Sequence, residues 1–252
     1  MIKAVLFDLG GTLHTNSLPE GRDVWFAARL LNRLSDYGII LPATPEEIAR
    51  SLPVNSEIYK HESEQTLREL PSAVIWNDYY LREYRIGRDK LEPIAEELSF
   101  LYDYERPCVM RRPYLKETMA ELRGMGLRLG VISNIISRSV VPHFLAEYDI
   151  AQDMDCVITS AETGIRKPSP DIFRIAEHAL GLKPEELAYV GDTISRDVRG
   201  TRNAQWRLMI QISFPDTAHR DAGLENAGYK PDYLIHELNE IPQIIRDVNS
   251  AR

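Results

Sequence analysis

The chain of 252 residues contains little cysteine, since only Cys108 and Cys156 occur. Two cysteines cannot form the disulfide framework of a small secreted protein, and Cys156 lies in an apolar run typical of a buried strand. No apolar run approaches the roughly 20 residues that a membrane-spanning helix needs. The apolar segment at residues 4–7 ends at Asp8, which does not fit a signal peptide. We therefore expect a soluble cytoplasmic protein with no membrane partner.

The chain also lacks an excess of positive charge. It has 30 Lys and Arg residues against 38 Asp and Glu residues, and its formal net charge is -8. Surfaces that bind nucleic acid are basic, because they must neutralise phosphates. The short arginine groups at residues 111–112 and 196–202 are too small to form such a surface. We therefore expect no nucleic-acid partner.

Strand and helix patterns alternate along most of the chain. Apolar runs typical of buried strands occur at residues 1–7, 127–132, 155–159, 188–191, 208–212 and 233–235. Helical patterns occupy residues 113–124, 137–148, 169–180, 195–204 and 238–248. This alternation predicts an α/β fold, in which a parallel sheet is covered by helices on both faces.

A long stretch after the first strand has a different, almost wholly helical pattern. Thr44 and Glu47 have the spacing of a capping box, with Pro45 in the first helical turn. Further helices are predicted at residues 72–84 and 89–104. Such an insertion is the expected form of a lid over a sheet-edge active site; the alternative is a decoration that only adds stability. The predicted domains are a core of residues 1–15 and 109–252 and a helical cap of residues 16–108.

Four short segments carry the chemically informative residues. Asp8 follows the first strand and precedes two glycines, where an open α/β sheet places its chemistry. The other three segments, in chain order, contain Ser133 and Asn134, then Lys167, then Asp192 and Asp197. Each segment alone has an ordinary explanation, such as turn chemistry or helix capping.

Together, in this order and at strand ends, the four segments resemble the four motifs of the haloacid dehalogenase (HAD) superfamily. The resemblance covers residues 1–13 and the chain from about residue 113 onward, while the inserted block resembles the α-helical cap of subfamily I. It implies a Rossmann-like core. It also implies, most often, Mg²⁺-dependent phosphoryl transfer through an aspartyl-phosphate.

The resemblance assigns catalytic and phosphate-binding roles to four residues. Asp8 matches the nucleophile, which needs nearby positive charge because two anions approach each other. Lys167 matches the cation that offsets the charges of Asp8 and of the phosphate. Ser133, together with the Asn134 amide, matches the pair that holds a transferring phosphoryl oxygen.

The resemblance also assigns a Mg²⁺ site. Its implied ligands are Asp8, the backbone carbonyl of Gly10, Asp192 and Asp197. Asp197 is implied either as a second metal carboxylate or as a residue that orients the others. Hard oxygen ligands of this kind suit Mg²⁺.

Gly10 departs from the family pattern. Most phosphatases of the family have an aspartate two residues after the nucleophile, where it protonates the leaving oxygen and then activates water. Such acid–base help is worth roughly 10²–10⁴ in rate, and glycine cannot give it. His14 is a conceivable substitute base, although an ordinary turn histidine also explains it. We expect slow turnover and a preference for good leaving groups.

The function predicted is a Mg²⁺-dependent phosphatase or phosphotransferase that acts on a small phosphorylated metabolite. A 2-haloacid dehalogenase is one alternative, because it needs no leaving-group acid, but it would not need Asp192 and Asp197. A catalytically weak binding scaffold is the other, and Gly10 alone favours it. Neither substrate nor oligomeric state follows from the sequence. Four residues of the insert are candidates to face the site: Lys60, His61, Arg68 and Trp76.

Overall fold

A computed structural model describes residues 1–214, 221, 224 and 228–251. Its strands are Ala4–Phe7 (β1), His14–Ser17 (β2), Cys108–Arg111 (β3), Arg128–Ser133 (β4), Met154–Thr159 (β5), Leu187–Gly191 (β6), Leu208–Ile212 (β7) and Tyr233–Ile235 (β8). Six of them form a parallel sheet in the order β5-β4-β1-β6-β7-β8. All four residues of β1 are buried. The predicted α/β class, with its Rossmann-like parallel core, is confirmed.

The sheet order decides which strand ends lie together. The central strand β1 pairs with β4 on one side and with β6 on the other. Because the three strands are parallel, their carboxyl ends meet at one edge of the sheet. Asp8, Ser133 and Asp192 stand at or directly after these three ends.

The insert between β2 and β3 is helical. Its helices are Arg22–Asp36 (α1), Pro45–Thr66 (α2), Ser72–Val74 (α3), Arg88–Leu91 (α4) and Ala95–Phe100 (α5). The predicted capping box forms, since Thr44 and Glu47 each accept the other's backbone N–H. The insert has its own apolar cluster, which includes Phe26, Leu52 and Trp76.

Helices cover both faces of the sheet. They are Leu115–Gly124 (α6), Val140–Glu147 (α7), Ser160–Thr163 (α8), Pro170–Leu180 (α9), Arg199–Asn203 (α10) and Ile241–Ser250 (α11). Side chains of α6, α7 and α11 pack with Val5 and Phe7 on one face. Side chains of α9 pack with Ala4 and Leu6 on the other. This alternation follows from the two-residue period of β1.

Two predicted helices of the insert are interrupted. Residues 72–84 form α3, a π-helical turn at Ile75–Tyr80 and a 3₁₀ turn at Arg82–Tyr84. Residues 89–104 are divided between α4, α5 and a π-helical turn at Leu101–Glu105. Pro93 lies at the break between α4 and α5, where it cannot donate a backbone hydrogen bond.

The sequence did not predict β2 and β3, which pair antiparallel from His14–Arg111 to Ser17–Cys108. The strand β2 leads into the insert and β3 leads out of it, so the two connections between core and insert are paired. The predicted domain boundaries at residues 15/16 and 108/109 fall inside β2 and β3, and this division stays a prediction. The predicted core ends at residue 252, which lies outside the described residues. Among the described helices, none is long and apolar enough to cross a membrane.

Candidate active site

A cavity of about 520 Å³ lies between the sheet edge and the insert. The sheet edge contributes Asp8, Gly10, Ser133, Asn134 and Lys167, and the insert contributes Tyr102, Asp103 and Arg106. Residues of the helical insert therefore face the predicted site residues across this cavity. A second hollow of about 590 Å³ lies beside Tyr104 and Tyr148 and contains none of the predicted residues.

Lys167 forms the electrostatic centre of the site. Its side chain is 1% exposed, and its ammonium nitrogen lies 3.0 Å from Asp8 Oδ1 and 2.7 Å from Asp197 Oδ1. It also donates to the hydroxyl of Tyr189 at 2.8 Å, and that hydroxyl donates to the carbonyl of Ile132. One buried cation is thus shared by two carboxylates and held by a strand residue.

The charges in this group shift one another's protonation. Burial alone would lower the pKa of Lys167, but Asp197 and Asp8 raise it above its ordinary value. Burial raises the pKa of Asp8, against the opposing effect of Lys167. For Asp197, burial would raise the pKa, yet Lys167 and the donors of Thr193 hold it below its ordinary value. Lys167 therefore remains charged.

Asp197 is fully buried and well supplied with donors. Its Oδ1 accepts from Lys167, and its Oδ2 accepts from both the backbone N–H and the hydroxyl of Thr193, at 3.0 and 2.6 Å. These bonds fix the carboxylate and aim it at Lys167. They favour the orienting role among the two roles open for Asp197.

Three carboxylates come together at the sheet edge. Single oxygens of Asp8, Asp192 and Asp197 all lie within 4.8 Å of one another. Two glycines make this approach possible. A Cβ at Gly11 would lie 2.3 Å from Asp192 Oδ2, and one at Gly191 would lie 2.4 Å from Asp197 Cγ. Hard, closely spaced oxygens fit a divalent cation such as Mg²⁺.

Arg112 braces the loop that follows Asp8. Its guanidinium donates to the carbonyl of Gly11 from Nη2 at 2.6 Å and from Nε at 3.2 Å. The same Nη2 donates to the carbonyl of Ser213 at 3.1 Å. Because Gly11 has a left-handed backbone with φ of 84°, these bonds hold a turn that few other residues adopt. No local sequence pattern predicts this contact.

Ser133 and Asn134 are placed differently. Ser133 ends β4, is 3% exposed and lines the cavity. The side chain of Asn134 instead holds the backbone of Lys167: its Nδ2 donates to the Lys167 carbonyl at 2.9 Å and its Oδ1 accepts from the Lys167 N–H at 2.8 Å. This bracing favours a positioning role for the Asn134 side chain.

Gly10 stands in the turn after Asp8 and forms a backbone bridge with His14. His14 is 4% exposed, packs against the ring of Phe144, and has its Nδ1 2.9 Å from the hydroxyl of Tyr148. Burial lowers the pKa of His14 to about 4. It is thus a neutral, tightly packed ring beside the cavity rather than a solvent-exposed turn residue.

Charged residues join the insert to the sheet edge. Arg196, which lines the cavity, pairs with Glu64 of α2. Arg166, next to Lys167, pairs with the buried Glu69. The backbones also meet, since Glu69 donates its N–H to the carbonyl of Gly164 at 3.0 Å. No local sequence pattern marks Arg196 or Glu69 as a residue of the site.

Two acids of the insert cap the loop that follows Asn134. Asp103 Oδ2 accepts from the backbone N–H groups of Ile136 and Ser137, at 3.2 and 3.0 Å. Glu96 accepts from the hydroxyl of Ser137 at 2.8 Å and from the N–H of Arg138 at 2.9 Å. Burial, together with nearby acids, raises the pKa of Asp103 to about 8.

The four candidates proposed in the insert do not line the cavity described. Trp76 is fully buried in the insert's own core and donates to Ser99. Lys60 pairs with Glu57, three residues earlier on α2. His61 contacts Gln65, and the backbone of Arg68 bridges to Ile165. Packing and surface contacts account for all four.

The chain is similar to known proteins over most of its length. A family model described as haloacid dehalogenase-like hydrolase matches residues 2–205. The glyceraldehyde 3-phosphate phosphatase of Methanopyrus kandleri is 29% identical over 260 residues, covering 98% of this chain and 99% of that one.

Solved structures show the same architecture. An HAD phosphatase from Thermococcus onnurineus is similar with a TM-score of 0.59 and 26% identity, over 97% of this chain and 98% of that one. A 2-haloacid dehalogenase from Pseudomonas syringae pv. Tomato has a TM-score of 0.62 at 20% identity, over 98% of this chain and 100% of that one. At that identity the second likeness shows only a shared fold.

Proposed function

The chain belongs to the haloacid dehalogenase-like hydrolase family, and from this premise we propose that it is a Mg²⁺-dependent phosphatase. Its proposed substrate is a small phosphorylated metabolite, and its proposed intermediate is an aspartyl-phosphate, the acyl phosphate formed on Asp8. The observation that carries the proposal is the contact of Asp8 with Lys167, 3.0 Å apart at the floor of a cavity. A phosphate anion entering this cavity meets a nucleophile and a cation together.

The residues present fit a divalent cation. The carboxylates of Asp8, Asp192 and Asp197 carry three negative charges when ionised, and the buried Lys167 offsets one. We propose Asp8, Asp192 and the carbonyl of Gly10 as ligands, with Asp197 as the residue that positions Lys167. When bound, Mg²⁺ supplies positive charge that offsets the phosphate oxygens at the moment of attack.

The protein's own groups account for the rest of the proposed reaction. A carboxylate oxygen of Asp8 forms a bond to phosphorus while the bond from phosphorus to the leaving oxygen breaks. Lys167 and the hydroxyl of Ser133 stabilise the phosphoryl oxygens by charge and by hydrogen bonding. Water then attacks phosphorus and gives up a proton to solvent, while the bond from phosphorus to the Asp8 oxygen breaks and restores the carboxylate.

A triose phosphate is the first substrate to examine. The relative from Methanopyrus kandleri is named for glyceraldehyde 3-phosphate and aligns over nearly the whole chain. The cavity of about 520 Å³ has room for a ligand of this size. Arg106 and Arg196 in its walls supply further donors for a polar substrate.

The dehalogenase alternative has one observation in its favour, which is the absence of an acid at Gly10. Against it, Asp192 lies within 4.8 Å of Asp8, where its negative charge would repel a carboxylate substrate. The scaffold alternative does not explain why Asp197, Tyr189 and Asp8 all hold Lys167 in one geometry.

The test compares two products. Phosphate release from 4-nitrophenyl phosphate and from glyceraldehyde 3-phosphate is measured with and without Mg²⁺, and halide release is measured from 2-chloropropionate. We expect phosphate release that depends on Mg²⁺ and no halide. Halide release without phosphate release would establish the dehalogenase alternative. If neither phosphate nor halide is released, the binding-scaffold alternative is favoured.

A further inference from the structure

The space beside Gly10 is open and is bordered by two polar side chains. A Cβ placed on Gly10 would meet Asn16 Nδ2 at 3.7 Å and His14 Nε2 at 4.0 Å, both ordinary contact distances. Gly10 also lacks the left-handed backbone of Gly11. A Cβ atom would therefore fit at position 10, so neither a clash at that atom nor a left-handed backbone explains the glycine.

Asn16 is well placed to act in that space. It lies on β2, where its backbone pairs with Val109 of β3, and its side chain lines the same cavity as Asp8. Within the described part of the chain, its side-chain amide has no hydrogen-bond partner. The amide nitrogen is thus a donor that a substrate can use.

We propose that the Asn16 side-chain amide donates a hydrogen bond to the leaving-group oxygen, at the place where most of the family has an acid. This inference rests on the proposed phosphatase activity. It makes Asn16 a further catalytic residue for that reaction.

The donor stabilises charge but transfers no proton. As the Asp8–phosphorus bond forms, the phosphorus–oxygen bond breaks and its electron pair moves to the leaving oxygen. The amide N–H holds that oxygen and keeps its own proton, since an amide is not an acid at neutral pH. Solvent water protonates the departing alkoxide or phenoxide. The contribution of Asn16 should therefore grow as the leaving group becomes more basic.

His14 is a weaker candidate for the same role. Its Nε2 carries a proton in only one tautomer, and the tautomer depends on the contact of Nδ1 with Tyr148. The amide nitrogen of Asn16 carries protons in every state. Its strand position also faces the cavity without the close packing that surrounds the His14 ring.

The experiment uses two substrates of similar shape. Phenyl phosphate has a leaving group with a pKa of about 10, and 4-nitrophenyl phosphate has a much less basic one. Values of kcat/KM, which report the first chemical step, are compared for wild type and Asn16→Leu with Mg²⁺ present. The control is Thr15→Ala, because Thr15 precedes Asn16 on β2 and is not among the residues lining the cavity.

We expect Asn16→Leu to lower kcat/KM for phenyl phosphate by about 10²-fold, as for loss of one donor to a developing charge, with a much smaller loss for 4-nitrophenyl phosphate. Asn16→Ser keeps a hydroxyl donor and should lose less. Gly10→Asp should raise the rate with phenyl phosphate and should shrink the loss caused by Asn16→Leu. Thr15→Ala should behave as wild type.

Equal losses with both substrates, or no loss, would overturn the role of Asn16 while leaving the phosphatase in place. An undiminished Asn16→Leu penalty in the Gly10→Asp background would also contradict it. If wild type releases phosphate from neither ester with Mg²⁺ present, the proposed function itself has failed.

Discussion

The sheet edge and the facing surface of the helical insert border the same cavity but are built differently. At the sheet edge, Asp8, Lys167 and Asp197 form short contacts among nearly dry groups, and the Lys167 and Asp197 side chains are 1% and 0% exposed. On the insert, Glu64 meets Arg196 with its own side chain 42% exposed. The first region is a buried charge array. The second combines this partly hydrated pair with the buried pair of Glu69 and Arg166.

This difference in burial suggests different roles for the two regions, one in the chemical step and the other in substrate entry. Charges in a buried array act at full strength because water does not screen them, so the sheet edge can polarise a phosphate. A hydrated ion pair is worth about 0–1 kcal/mol and can open at little cost. We infer that the sheet edge determines the rate and that the insert determines which substrates enter.

Among the changes that compare the two regions, the largest effect should come from Lys167→Met at the sheet edge. The change leaves Asp8 and Asp197 without their shared cation, so phosphate release should fall by about 10³-fold or more. The free energy of unfolding should fall by about 3 kcal/mol or more, because buried charge becomes unpaired. Kinetics and chemical denaturation measure the two effects. Lys116→Met, which breaks an exposed pair with Asp149, should change neither much.

A smaller effect is expected for Gly11→Ala. The new methyl would lie 2.3 Å from Asp192 Oδ2, and the backbone φ of 84° adds strain. Mg²⁺ affinity, measured by titration calorimetry, should fall by about 10- to 100-fold, as for other disturbed ligand supports. Gly126→Ala has a similar φ of 78° but no atom within 4 Å, so it should cost stability and leave Mg²⁺ affinity intact. Equal Mg²⁺ affinities in the two variants would refute the close approach.

On the insert, Asp103→Asn should change how stability depends on pH. The pKa of Asp103 is about 8 in the folded protein and 3.8 ordinarily. Between these pH values the Asp103 carboxyl is protonated in the folded state and ionised in the unfolded state. Stability therefore falls as pH rises through this window. Asparagine keeps an oxygen for the two backbone donors and cannot ionise. The variant should exceed wild type in unfolding free energy at about pH 9 and match it near pH 4; a constant difference would contradict the assignment.

The smallest effect should come from Glu64→Gln. Loss of this hydrated pair should change the free energy of unfolding by about 1 kcal/mol or less, while KM rises and kcat stays near the wild-type value. The control is Glu57→Gln, whose partner Lys60 lies on the same helix. A large fall in kcat with unchanged KM would show that Arg196 acts in the chemical step. It would contradict the division of roles between the sheet edge and the insert.

The sequence predicts the sheet well because its signals are local. Each core strand is a short apolar run, and Asp8 directly follows one of them. The strands β2 and β3 escape prediction because β2 is polar, with the sequence His-Thr-Asn-Ser, and its partner lies more than 90 residues away. Non-local pairing of this kind has no periodic signature.

The same distinction applies to the site. The four segments predict that Asp8 and Lys167 approach each other, and the structure brings them together. Arg112, Tyr189 and Asn16 reach the site only through tertiary contacts. The residues next to them in the sequence form no motif that would identify them as part of the site. Alternation along β6 could have placed Tyr189 inside the protein, but not against Lys167.

The central claim, that Asp8 is the nucleophile of a phosphatase, is tested most directly by Asp8→Asn. Phosphate release from 4-nitrophenyl phosphate with Mg²⁺ is compared for wild type, Asp8→Asn and Asp89→Asn, a change at an exposed acid of α4. We expect a loss of about 10⁴-fold or more for Asp8→Asn alone, as for removal of a covalent nucleophile. Unchanged phosphate release by a folded Asp8→Asn protein would contradict it.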